Sequence, residues 1–261
     1  MVPLHIWLPE AHVEAPTAAS VLLAAILLKL GSYGFIRYSI PLFPYASKIF
    51  VPLVMTMSLI GIIYSSLTCL AQWDLKKFIA YSSVGHMNFT TIGLFSNNLH
   101  GIKSSIYFLI SHGLISSALF LLVGVIYDRF HTRTIRYYGG LVYTMPIFVL
   151  FFIFFSLANI ALPATSAYIS EIYTLIGSFQ FNPILTLFAS LAIIIGPTYS
   201  LWFAHKLAYG SYSKYLSTVY QDLTLKEIHL FIPLIFLTFL FGLKPNLIFD
   251  FIFFTSSSLL Y

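Results

Sequence analysis

The chain is 261 residues long, 59% hydrophobic and 8% charged, with a formal net charge of +5. A mean hydropathy of +0.91 leaves too few polar side chains to cover a soluble globule, so the composition defines a polytopic membrane protein. The basic residues read as loop charges, with no tail or patch suited to nucleic acid, and the lone Cys69 excludes disulfides and cysteine-based metal sites.

Residues 1–14 read as the tail of an earlier span. Runs near the roughly 20 apolar residues that cross a bilayer follow at about 17–37, 49–71, 78–95, 104–127, 143–178, 183–205 and 228–249. The run 143–178 is longer than one crossing needs and contains Pro163, which removes a backbone donor and clashes with the preceding turn. A broken helix is predicted there, and a kink at Gly196-Pro197 in the next span. Thr224 and Glu227 have the spacing of a capping box that opens the last helix. The expected fold is all-α, a transmembrane bundle of about seven spans plus a partial N-terminal one. No Gly/Ser linker or charge block divides it, so residues 1–261 read as one membrane domain.

Alternating the loops places Lys76, Lys77, Arg129, Arg133, Arg136, Lys206, Lys214 and Lys226 on one side, and Arg37, Lys48 and Lys103 on the other. Cytoplasmic or matrix loops carry the excess of cations, so the first side is expected to face that compartment. The Asp74-Leu-Lys-Lys turn reads as a solvated, charged loop.

Four groups stand out against this apolar background. Lys29 is the sole charge between Glu14 and Arg37, and Glu171 the sole charge between Arg136 and Lys206. A charge at membrane depth costs roughly 2.5–3.5 kcal/mol on insertion scales and persists mainly where it has a task. Lys29 is flanked by Leu27, Leu28 and Leu30, too deep for easy snorkelling. Glu171 follows the Pro163 break, where unwound backbone can line a wet cavity. His112 lies in Ser111-His-Gly with Ser116 and Ser117 a turn on, and His86 ends Ser82-Ser-Val-Gly-His. Imidazole exchanges protons near neutral pH, so the four together point to an intramembrane proton relay. Each also has a plainer reading: a backbone-bonded lysine, a carboxylate tying a broken helix, two packed histidines. His5 and His12, seven apart with Pro9 between them, lack zinc-ligand spacing. No phosphate loop, catalytic triad or haem ligand pair is visible, so no redox chemistry is expected in this chain.

The charge-bearing stretches resemble a known family. They are Pro3-Leu-His-Ile-Trp-Leu-Pro-Glu-Ala-His-Val-Glu-Ala-Pro-Thr-Ala, continuing to Leu27-Leu-Lys-Leu-Gly; Asp74-Leu-Lys-Lys with Ile79-Ala-Tyr-Ser-Ser-Val-Gly-His-Met; Ser111-His-Gly-Leu; Tyr127-Asp-Arg-Phe-His-Thr-Arg with Gly139-Gly-Leu; and Leu157-Ala-Asn with Leu162-Pro and Glu171. In order, and over essentially the whole chain, they are similar to the chain 4 family of mitochondrial NADH:ubiquinone oxidoreductase (complex I), which is related to Mrp-type cation/proton antiporters.

The resemblance implies a proton-translocating membrane-arm subunit of the mitochondrial inner membrane, without a cofactor of its own. FMN, iron–sulfur clusters and ubiquinone would belong to the rest of the complex. It implies a central relay role for Lys29, an outlet role for Glu171, and a polar axis through His86 and His112. It also implies two inverted five-helix repeats, the second at roughly 49–205, with a final helix at roughly 228–249.

Family members have nearly twice as many spans, so this chain is expected to lack most of the first half-channel. Either a separate polypeptide supplies that N-terminal half, the favoured expectation, or the sequence is a fragment. Neighbouring antiporter-like subunits and the lipid bilayer are the other expected partners. Ala19, Ala164 and Ser170 stand where the family usually has glycine. An Mrp-type antiporter subunit and a non-conducting structural subunit are the alternative functions.

Overall fold

A computed structural model of the chain describes residues 1–211 and 221–259; Lys214, counted above among the loop cations, lies outside the described residues. The described chain is helical nearly throughout. A short helix α1 (Trp7–Glu14) leads into α2, which runs over 17–42. Then come α3 (Pro44–Ala71), α4 (Leu75–Phe95) and α5 (Leu99–Phe130). After short turns come α6 (Pro146–Asn159), α7 (Ser166–Phe181), α8 (Pro183–Ala208), α9 (Leu225–Leu243) and α10 (Asn246–Ser258). Among the described residues, α2, α3, α5, α8 and α9 are long and apolar enough to cross a membrane.

The centre of the bundle is α5, which packs against α2, α4, α6, α7, α9 and α10. Its sequence shows why: apolar and small residues alternate all round it, the pattern of a helix enclosed on every side. Ser104, Ser105, Ser111 and Ser116 are buried on it and allow neighbouring backbones to approach closely. By contrast, α2 and α3 keep Leu22, Ile26, Leu30, Ile49, Phe50 and Leu53 exposed, as helices facing lipid or another subunit do.

The predicted broken helix is present as α6 and α7, separated by residues 160–165. Pro163 withholds its N–H there, and Ala161 and Ala164 adopt φ of 62° and 76°, in the left-handed region that favours glycine. The elbow is tied internally, with Thr165 Oγ1 donating to the Leu162 carbonyl at 2.7 Å. The Thr224–Glu227 capping box is also present, worth about 1 kcal/mol to the start of α9.

Two local expectations need correction. The last span does not run over 228–249: α9 stops at Leu243 and α10 starts at Asn246, because Pro245 cannot extend the ladder behind it. Lys76 is buried rather than solvated: its Nζ donates to the Ala15 carbonyl, 2.7 Å away, at the end of α1. Arg133 reaches the Val13 carbonyl in the same way. Both cations satisfy carbonyls left free at a helix C-terminus. Leu75 N also donates to Arg133 O, and Arg129 to Asp222 O, so the loops assigned to the cation-rich side meet at one end of the bundle.

Candidate functional site

Lys29 lies two residues past a wide π-turn, Leu23–Leu27, in α2. Such turns concentrate at functional positions because they shift side chains off the regular helical stripe. The turn holds Ala24, whose buried carbonyl accepts a hydrogen bond from Lys29 Nζ. The same Nζ is 2.9 Å from Nδ1 of His112 on α5. Gly113 lies against this contact: a Cβ there would stand in ordinary contact, 3.8 Å from Lys29 Cε. On its outer side Lys29 borders an open, largely apolar cleft of ≈ 540 Å³ between α2 and α5.

From His112 the row continues inward. The rings of His112 and His86, on α4, have centroids 5.6 Å apart at 51°. His86 Nδ1 lies 3.6 Å from Glu171 Oε1 on α7, just beyond direct hydrogen-bond reach and closable by a small shift or one water. His86, His112 and Glu171 are all buried. Ser111 Oγ and Ser170 Oγ, 3.4 Å apart, hold α5 and α7 in register beside the row. The structure therefore brings Lys29, His112, His86 and Glu171, from four different helices, side by side as successive neighbours.

Beside the acidic end is a cavity of ≈ 30 Å³, lined by Ser66, Ser82, His86, Asn159, Glu171 and Tyr199 among others. That is space for one or two waters, with enough polar groups to hold them. Asn159 closes α6, so the broken helix contributes to this space from both its halves.

A third buried histidine, His12, was weighed from sequence only as a metal ligand. His12 is fully buried, stacked on Phe120 with centroids 4.5 Å apart, and neither ring nitrogen has a partner among the described residues. Ser116 Oγ, a turn nearer His112 on the same helix α5, is likewise buried without a partner. Buried polar atoms seldom remain unsatisfied, so both residues stand out on this side of the row. The available signal was the 4-residue spacing His112, Ser116, Phe120, which gives one face of α5. Beyond His12, an open cavity of ≈ 330 Å³ is lined by Glu14, Lys76, Asp128 and Arg133.

Among the described residues no group of three or more His, Cys, Asp and Glu side chains is arranged to hold a metal ion. What the row can do is exchange protons between an amine, two imidazoles and a carboxylate.

A helical bundle with a discontinuous helix and a buried line of ionisable groups defines the antiporter-like class of membrane subunits. The chain belongs to the NADH:quinone oxidoreductase/Mrp antiporter transmembrane family, whose model matches residues 1–196. It is 54% identical over 260 residues to NADH-ubiquinone oxidoreductase chain 4 of Chondrus crispus, covering 100% of this chain and 53% of that one. Chain 4 of Marchantia polymorpha is 55% identical over 246 residues, 94% of this chain and 50% of its own length. NADH-quinone oxidoreductase subunit M of Rhodobacter capsulatus is 48% identical over 252 residues, covering 97% and 49%. The chain thus spans about half the length of these relatives.

Among solved structures, a chain of respiratory complex I from Thermus thermophilus superposes with a TM-score of 0.90 at 28% identity, over 99% of this chain and 55% of that one. The Mrp complex from a Dietzia species gives 0.91 at 16% identity, over 99% and 56%, a likeness of fold alone.

Proposed function

We propose that this chain carries one half of a proton path through the membrane arm of a respiratory NADH:ubiquinone oxidoreductase, multi-pass in the mitochondrial inner membrane. The observation that carries the reading is the buried line Lys29–His112–His86–Glu171. Protons would be exchanged along it under a driving force from NADH oxidation and quinone reduction in other subunits. This chain supplies one cysteine and no other ligand pattern for a redox centre, which supports a non-redox role. Its identity of about half with chain 4 proteins over nearly its whole length supports the assignment to that complex rather than to an antiporter.

Within the line, a proton on Lys29 is handed across the 2.9 Å contact to His112 Nδ1. The imidazole releases its other proton toward His86, and His86 Nδ1 faces the Glu171 carboxylate. The carboxylate, next to the small wet cavity, is the exit group of this segment. His12 and Ser116 extend the line toward the cation-rich end and serve as its intake limb.

The remaining half of the relatives' length would come either from sequence contiguous with this chain or from a separate polypeptide carrying the other repeat. Purification from native membranes in mild detergent distinguishes the two by the mass of the polypeptide and of what accompanies it.

The test of the function is the proton-to-electron ratio of the complex carrying Lys29→Ala or Glu171→Gln. Both variants are expected to assemble and to pump fewer protons per NADH. Normal stoichiometry in both would overturn the proposal, and loss of assembly with Lys29→Ala would favour a structural subunit. Cation exchange that proceeds without NADH would point to an Mrp-type antiporter.

A further inference from the structure

The geometry points to α9 as a splint for the broken helix, with Asp222 and Gly242 as positioning residues for the His86–Glu171 contact. The inference rests on the proton-path reading for its importance, though not for its geometry.

At one end of α9, Asp222 caps a helix to which it is not joined. Its carboxylate accepts from Ile147 N at 2.7 Å and Phe148 N at 3.0 Å, the free donors of the first turn of α6. The same carboxylate accepts from Leu223 N at 2.7 Å, immediately before α9. Arg129, at the end of α5, donates to the Asp222 carbonyl at 3.1 Å and to Glu227 at 2.8 Å, and Glu227 completes the capping box of α9. The starts of α6 and α9 are therefore held to one point.

Along their length the two helices are joined by aromatic pairs, with Phe151 on Phe231 at 5.5 Å and Phe154 on Phe239 at 5.0 Å between ring centroids. At the far end, Gly242 meets the elbow. A Cβ there would drive into the Ala164 carbonyl and stand 2.7 Å from the Thr165 carbonyl carbon. Tyr107 on α5 fixes that end of α9 by donating to the Phe241 carbonyl at 2.6 Å. One helix, α9, thus spans from the start of α6 to the elbow and sets the distance between them.

That distance matters because both sides of the elbow reach the relay. Asn159, the last residue of α6, and Glu171, in the second turn of α7, line one cavity with His86. His86 and Glu171 stand at 3.6 Å, where a few tenths of an ångström decide whether they bond directly. Asp222 and Gly242 touch neither residue and act through the position of the helix halves.

The test is infrared difference spectroscopy on the intact membrane complex, with the Glu171 carboxyl band identified by its loss in Glu171→Gln. Asp222→Ala and Gly242→Ala are expected to shift that band and to lower the proton-to-electron ratio at unchanged assembly. Asp222→Asn keeps one acceptor and is expected to fall between wild type and Asp222→Ala. If Asp222→Ala does not assemble, Asp222→Asn decides the matter. A band at the wild-type position in the assembled variants overturns the inference. If Glu171→Gln itself pumps normally, the proton-path reading falls, while the band still reports whether α9 positions the pair.

Discussion

Lys29 Nζ and His112 Nδ1 stand 2.9 Å apart, so one must present a lone pair to the other's proton. An ammonium facing a neutral imidazole meets that condition, and so does a neutral amine facing an imidazolium. Two positive charges at this separation do not, since they repel and leave no lone pair between them. The pair therefore holds at most one proton beyond the neutral state, and at 2.9 Å that proton can pass directly between the two nitrogens.

Replacing Lys29 with arginine separates charge from proton transfer. A guanidinium keeps its N–H donors but stays protonated in proteins, so Lys29→Arg keeps the positive charge and removes the proton that can be released. Transfer through this segment is expected to fall by about 100-fold or more, the lower range for a positioned acid–base group. Proton uptake by membrane vesicles fed NADH, with assembly followed on native gels, checks this. Uptake at the wild-type rate would show that Lys29 acts as a charge only.

The two relay histidines are expected to differ in severity. His86 lines the small cavity, so in His86→Ala the enlarged polar space admits water that bridges toward Glu171. His112 is the only side chain bonded to Lys29 among the described residues, and His112→Ala leaves the amine with the Ala24 carbonyl alone. Pumping should therefore be lost with His112→Ala and reduced with His86→Ala. The reverse order would place the critical junction at the acidic end.

Gly113 tests the fit around Lys29. A methyl group at this position falls in ordinary contact, 3.5 Å from the Ala25 carbonyl and 3.8 Å from Lys29 Cε. Gly113→Ala should accordingly pump normally, whereas Gly113→Leu should displace the lysine and behave like Lys29→Ala. Equal activity of the two variants would mean that Lys29 does not depend on its seat against α5.

At the elbow, Ala164 holds a left-handed conformation that costs an L-residue roughly 1–2 kcal/mol, part of which a glycine would return as chain entropy. Ala164→Gly is expected to stabilise the purified protein by up to about 1 kcal/mol. Thermal unfolding in detergent measures it, and a lower melting temperature would show that the methyl group packs usefully there.

Much of this was legible in the sequence, for a simple reason. In a chain with so few charges, a lysine or glutamate within an apolar run is conspicuous, and Pro163 announces the break. Which of these groups touch could not be read, because adjacency across α2, α4, α5 and α7 is decided by side-chain packing between helices. The π-turn before Lys29 leaves no mark in residue type. His12 was weighed only as a metal ligand, since spacing along the chain does not reveal a ring stacked on Phe120. Lys76 looked solvated because the carbonyl it caps, Ala15, is 61 residues away. The last span was drawn too long because a hydropathy window averages over Lys244-Pro245, where the backbone stops.

The cavity beside Glu171 also bears on what this segment would carry. Its ≈ 30 Å³ holds a water or two and a carboxylate edge. Charge crosses such a place by exchange of bonds, each nitrogen or oxygen giving up one hydrogen as it takes another. A sodium ion would have to exchange its hydration shell for the hydroxyls, amide and carboxylate that line the space. On the proton-path reading proposed above, so small a space favours a charge that travels without its own volume over one that must bring a shell.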